Sequence, residues 1–197
     1  KLNNVTLIES SILHDNLPFK AKEFDVILLN QVLQHLTKKP DPTFSSAKKV
    51  IGILLKYLKT SGALIINLST PEQISNIWWL HLIPRVLKQY QAKSVPLPIL
   101  TYTLSNYNYR NFKFYNIVEP MQGYSYFNLM GPLDTKWRNS SSKWKMAKKE
   151  EIKKAQDKVI HKIKEGTMGE YFDNYDFLRC KQGLSTLLIA KSFNSDK

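Results

Sequence analysis

Apolar positions along the chain fall into two spacings, and the alternation between them predicts strands and helices in turn. Val5 to Glu9 is a short β-type run. Phe24 to Leu29 is a second, apolar on both faces as a strand buried in a parallel sheet would be. Asn30 to Leu36 has the pattern of a helical turn. A helix is expected from Asp41-Pro-Thr-Phe, because Pro suits a first turn and Phe44, Ala47, Val50, Ile51, Leu54, Leu55 and Leu58 repeat at the helical period. Lys59-Thr-Ser-Gly62 reads as its stop, with a cation and a glycine, and Ala63 to Leu68 as the next buried strand. Strand, helix and strand joined this closely make a βαβ unit with a right-handed crossover.

Beyond this unit, Thr70-Pro-Glu opens a helix expected to run to Tyr90 and to kink or break at Pro84. Residues 94–108 are rich in Pro and Tyr and read as irregular. Phe112 to Val118 is a further strand, and 119–146 reads as a long loop. Ala147 to Glu165 is a charged helix with one apolar stripe, Gly169 to Lys181 a short helix, and Leu184 to Ala190 a final strand. Ligands of such sheets sit beyond the carboxyl ends of the strands, which directs attention to Ser10–Leu13, Asn30–His35 and Ser69–Glu72.

Composition narrows the possibilities. With 197 residues, 43% of them hydrophobic, the chain can core one domain, and disorder is excluded. Its seven glycines include no pair close enough for a G-x-G turn, so the chain holds no glycine-rich phosphate loop of its own. The formal net charge of +13 favours anionic partners. Most of it is Lys, however, with only four Arg, and Lys is the ordinary solvating residue of a polar face. Nucleic acid is therefore allowed as a partner but not favoured. The single Cys180 excludes an internal disulfide and has no ligand-spaced Cys or His, so no metal site is expected and the chain reads as cytoplasmic. No apolar stretch approaches the roughly 20 residues of a membrane span. The chain opens on Lys1 and runs almost at once into a strand-like segment, as a fragment whose start lies upstream would.

The segments Leu17-Pro-Phe, Glu23-Phe-Asp-Val-Ile, Asn30-Gln-Val-Leu-Gln-His-Leu and Leu55-Lys-Tyr-Leu-Lys-Thr-Ser-Gly-Ala-Leu-Ile-Ile follow one another in a telling order. Together they resemble the class I S-adenosylmethionine-dependent methyltransferases, which carry L-P-F, F-D-x-V, V-L-H-H-L and R-V-L-K-P-G-G in this sequence. The resemblance covers residues 5–70. Gly131-Pro-Leu-Asp-Thr-Lys-Trp-Arg and Ser142-Lys-Trp resemble the C-terminal part of a subset of the same enzymes. The resemblance implies an α/β, Rossmann-like sheet of strand order 3-2-1-4-5-7-6 with flanking helices, mostly parallel with an antiparallel last strand. Val5–Glu9, Phe24–Leu29, Ala63–Leu68, Phe112–Val118 and Leu184–Ala190 would be strands 3 to 7. It further implies one N-terminally truncated domain over 1–197, with 119–183 as an insertion or cap before the last strand. The family's acidic-x-G-x-G-x-G loop has no counterpart in the chain; by the resemblance it lies upstream, and the fragment alone is expected to be inactive.

Residue roles follow from the same resemblance. Ser10, Ser11 and Ile12 match the loop that packs at adenine, though a Ser pair is also ordinary turn chemistry. Asn30 and Gln31 match the loop lining the methionine and sulfonium, though Asn also suits a helix N-cap. His35 matches the second His of V-L-H-H-L and is the candidate catalytic base, against a structural role for a lone His. His81, beside Trp78 and Trp79, and Tyr124, in the insertion, are candidates for contact with the methyl acceptor, against plain aromatic packing. Asp25 reads as a structural hydrogen-bonding group. The implied activity is methyl transfer from S-adenosylmethionine to a small molecule or protein. The alternatives are a non-catalytic binding protein on a degenerate methyltransferase fold and an RNA methyltransferase. Against the latter, Asn30-Gln-Val-Leu stands where many base-amine methyltransferases carry N/D-P-P-Y/F.

Overall fold

The structure, a computed structural model, describes residues 4–37 and 39–192. At its centre β1 (Phe24–Asn30) runs parallel to β2 (Leu58–Leu68), with Ile27 opposite Leu64 and Asn30 opposite Asn67. β4 (Ser185–Ser192) lies antiparallel to β2, and β3 (Tyr109–Ile117) antiparallel to β4. The order is β1-β2-β4-β3, so three strands point one way and only the last in sequence is reversed. This mixed sheet with flanking helices is the expected α/β Rossmann-like architecture, in the order 4-5-7-6 of the resemblance.

Val5–Glu9 departs from expectation, since it forms no strand. A strand needs a neighbour to take its N–H and C=O groups. In the expected order strand 3 pairs only with strand 2, and no described segment supplies strand 2. Leu7 is accordingly 93% exposed. Val26 and Leu28 of β1 share the sheet face opposite Ile27 and Leu29 and stand 53% and 59% exposed, because no described element covers that face of β1.

The first helix, α1 (Ser45–Tyr57), begins later than its Pro suggested. The Asp41 carboxylate accepts hydrogen bonds from the backbone N–H of Thr43 (3.0 Å) and Ser45 (2.7 Å), and this side-chain turn leaves Pro42 outside the helix. α1 passes directly into β2 at Leu58, so Gly62 lies within a strand and is not a helix stop. A Cβ at Gly62 would stand 2.8 Å from both the Asp25 carbonyl oxygen and Leu58 Cδ1. Glycine there permits the close approach of β1 and β2.

The helix expected from Thr70 to Tyr90 is divided into α2 (Pro71–Ser75), a 3-10 turn (Trp78–Leu82) and α3 (Pro84–Lys93). Pro84 occupies a first-turn position, where its missing N–H is not needed. Residues 94–108, read as irregular, contain α4 (Leu97–Ser105). Pro96 is its N-cap and Pro98 stands in its first turn, and Leu100 and Leu104 are fully buried against the sheet. The stretch 119–146 is built of 3-10 turns (Gly123–Phe127, Gly131–Leu133) and two short helices, α5 (Thr135–Asn139) and α6 (Ser142–Lys145). α7 (Lys149–Lys164) and α8 (Met168–Gln182) complete the chain before β4.

Two apolar clusters hold these elements. One joins the sheet to α1 and α4 through Leu29, Val50, Ile51, Leu64, Ile66 and Leu188. The other is aromatic and gathers Trp78, Trp79, Tyr126, Trp137 and Trp144 with Val159 and Met168. In it Trp79 stacks on Trp144 with ring centroids 5.7 Å apart. Among the described residues no helix is long and apolar enough to cross a membrane.

Candidate functional site

The carboxyl ends of β1 and β2 carry a row of side-chain amides. Leaving β1, Gln31 takes a left-handed backbone (φ 54°), a conformation uncommon for a residue with a side chain. Its N–H donates to the Asn67 carbonyl at 2.8 Å, which pins the turn to β2. Gln34 Nε2 donates to Gln31 Oε1 (3.1 Å), Gln31 Nε2 to Asn67 Oδ1 (3.4 Å), and Asn67 Nδ2 to Asn30 Oδ1 (2.8 Å). This relay of neutral amides ends in a donor, Asn30 Nδ2, and an acceptor, Gln34 Oε1. Cooperative chains of this kind polarise their members.

Beyond β2 and β4 lies a cavity of about 270 Å³. Its floor is Ser69 at the end of β2 with Leu184 and Ser185 at the start of β4, and Glu119, Gln122, Trp79 and Lys143 stand around it. The Ser69 hydroxyl donates to the Leu184 carbonyl at 2.7 Å, tying the two strand ends together. The Trp79 indole N–H donates to Gln122 Oε1 at 3.0 Å. An indole nitrogen can only donate, so this bond fixes which way the Gln122 amide faces. Gln122 Nε2 is left buried with no partner. Lys143 Nζ sits 4.9 Å from the Tyr90 ring centroid, and burial pushes its pKa below the ordinary lysine value.

The other candidates distribute unevenly around this end of the sheet. His35 closes the 3-10 turn Leu33–His35. Its pKa is lowered, first by partial burial and then by the ammonium groups of Lys143 and Lys93, so it shares an electrostatic neighbourhood with the cavity. Ser10, Ser11 and Ile12 lie in a turn in which the Ser11 carbonyl accepts from His14 N, and Ile12 packs on the sheet cluster. His81 does not line the cavity: it stacks on Tyr175 (centroids 3.8 Å apart), and its Nε2 bonds the Ser75 carbonyl at 2.7 Å. Tyr124 does not line it either and is 97% exposed. Asp25 holds Lys59 at 2.8 Å, the structural role expected of it. Among the described residues no group of His, Cys, Asp or Glu could hold a metal ion.

Sequence reading missed Asn67, Gln34, Gln122 and Lys143. Asn67 had a usable signal, being the polar residue in the otherwise apolar end of the Ala63–Leu68 run. Lys143 and Gln122 had none, because they reach the cavity through tertiary packing alone.

Residues 1–66 match the methyltransferase domain family. The resemblance to class I S-adenosylmethionine-dependent methyltransferases is thereby borne out, and the matched segment holds Asn30, Gln31, Gln34 and His35. The chain is also similar in structure to a methyltransferase of Anabaena variabilis attributed to an antibiotic biosynthesis pathway. That likeness has a TM-score of 0.64 at 14% identity, over 91% of this chain and 70% of the other. It establishes the methyltransferase-type fold across β1 to β4. A Galdieria sulphuraria protein described as a sarcosine dimethylglycine methyltransferase aligns with a TM-score of 0.47 at 14% identity, over 97% of this chain and 61% of its own. A Haemonchus contortus phosphoethanolamine N-methyltransferase aligns at 0.38 and 11% identity, over 88% of this chain and 35% of its own. Against curated proteins the chain gives no match.

Proposed function

We propose that the chain forms the methionine-side and acceptor-side walls of an S-adenosylmethionine-dependent methyltransferase site, with the glycine loop lying outside residues 1–197. The observation that carries this reading is the amide relay at the ends of β1 and β2, which lies largely within the family-matched segment. The residues fit the amino-acid end of the cofactor: Asn30 Nδ2 is a donor suited to a carboxylate, and Gln34 Oε1 an acceptor suited to an ammonium. Bound there, S-adenosylmethionine supplies an electrophilic methyl group. Ser10, Ser11 and Ile12 are assigned to the adenine side by the resemblance. Residues 119–183 act as a cap, and the acceptor is a small molecule held in the cavity at the ends of β2 and β4.

The protein's task in such a reaction is chiefly positioning. The strand ends orient the donor, and the Trp79 and Leu184 walls exclude water from the acceptor. His35, with its lowered pKa, holds a neutral imidazole at pH 7, the state required to accept a proton from the acceptor. Asn67 links both strand ends, so it is the residue to test. In the full-length protein, Asn67→Leu is expected to weaken S-adenosylmethionine binding on the order of tenfold by calorimetry, with the fold retained. Unchanged affinity would place the cofactor elsewhere.

A further inference from the structure

Two residues that line the cavity carry polar groups that the packing of the protein itself does not use. Gln122 Nε2 is buried and unpartnered, and its direction is set by the bond from Trp79. Lys143 Nζ has the Tyr90 ring on one side and no carboxylate partner among the described residues. A buried donor without an acceptor is costly, and a ligand oxygen would relieve that cost. Both groups donate, and both belong to residues that line the same cavity. The remaining wall is apolar and aromatic, from Trp79, Met121, Ile77 and Leu184.

We propose that this cavity binds a small organic carboxylate, its apolar body against Trp79 and its two oxygens taken by Lys143 Nζ and Gln122 Nε2. This deepens the methyltransferase reading by naming the class of acceptor, and it rests on that reading only for the claim that the ligand is methylated. Two donors match the two oxygens of a planar carboxylate. A phosphate dianion would present more oxygens than these donors satisfy, and Glu119, which lines the same cavity, opposes a second negative charge. Of the neighbouring seryl hydroxyls, Ser140 Oγ donates to the Trp137 carbonyl and Ser69 Oγ to the Leu184 carbonyl. A volume of about 270 Å³ suits a single ring with a short side chain.

The test is calorimetry on the full-length protein with benzoate, benzylamine and phenyl phosphate, with and without S-adenosylmethionine. Benzoate is expected to bind and benzylamine not to bind. Gln122→Glu keeps the acceptor for Trp79 but replaces the free donor with a carboxylate oxygen, and is expected to weaken benzoate on the order of tenfold or more. Lys143→Met keeps the apolar stem against Tyr90 and is expected to do the same. Melting curves of both variants check the fold. Stronger binding of phenyl phosphate or benzylamine than of benzoate would overturn the proposal, as would benzoate affinity indifferent to both substitutions. Benzoate binding by a protein that binds no S-adenosylmethionine would leave the carboxylate site standing and remove the methyltransferase reading. The converse result would remove the site alone.

Discussion

Gln31 carries two opposed effects in one side chain. Its left-handed backbone costs on the order of 1 kcal/mol relative to glycine, and its amide joins the relay to Asn67 and Gln34. Gln31→Gly should therefore leave unfolding free energy within about 1 kcal/mol of wild type while weakening S-adenosylmethionine binding. A urea titration paired with a binding titration reads both. His81 behaves differently. Burial lowers its pKa more than the bond to the Ser75 carbonyl raises it, so the unfolded chain binds its proton more readily than the folded one. Stability then rises with pH across the window below the ordinary histidine value of 6.5. The urea midpoint is expected to fall between pH 7 and pH 5, and to fall less in His81→Phe, which keeps the stacking on Tyr175. At this scale the sequence singled out Asn30, Gln31 and His35 because they sit inside a local pattern. It marked Asn67 only as a polar residue in an apolar run, since its partner Asn30 is 37 positions away, and it gave no sign of Gln122, whose place is set by a bond to Trp79.

Elements were legible where one periodicity sufficed. β1, α1, β4 and the charged helix α7 follow their apolar patterns to within a few residues. α4 was hidden by its prolines, whose restriction on a helix disappears in the first turn. α8 has little one-sided apolar pattern; it is fastened partly by Arg179, buried beside Asp176 at 2.5 Å, donating to the Val118 carbonyl at 2.8 Å and facing the Phe127 ring. The join between α8 and β4 depends on Gly183. It has φ +76°, and a Cβ there would meet the Ile117 carbonyl oxygen at 2.8 Å. Gly183→Ala is expected to cost about 2 kcal/mol or more, measured as a lower urea midpoint with unchanged slope.

For the whole molecule, the strand order β1-β2-β4-β3 brings the carboxyl ends of β1 and β2 and the start of β4 to one rim, and the segment 119–146 delivers Gln122 and Lys143 to it. The order was readable through the family resemblance and not from periodicity, since a pattern of spacing does not say which strands are neighbours. Val5–Glu9 marks the limit of that reading, because its tendency to be a strand is unrealised where no described strand pairs with it. In the proposed enzyme the rim beside Asn30 and Gln31 receives the methionine end of S-adenosylmethionine. Ultraviolet cross-linking of methyl-labelled S-adenosylmethionine to the full-length protein, followed by tryptic mapping, tests it most directly. Label is expected on the peptide spanning Glu23 to Lys38, suppressed by excess S-adenosylhomocysteine. Label confined to other peptides, or none that S-adenosylhomocysteine suppresses, would contradict it.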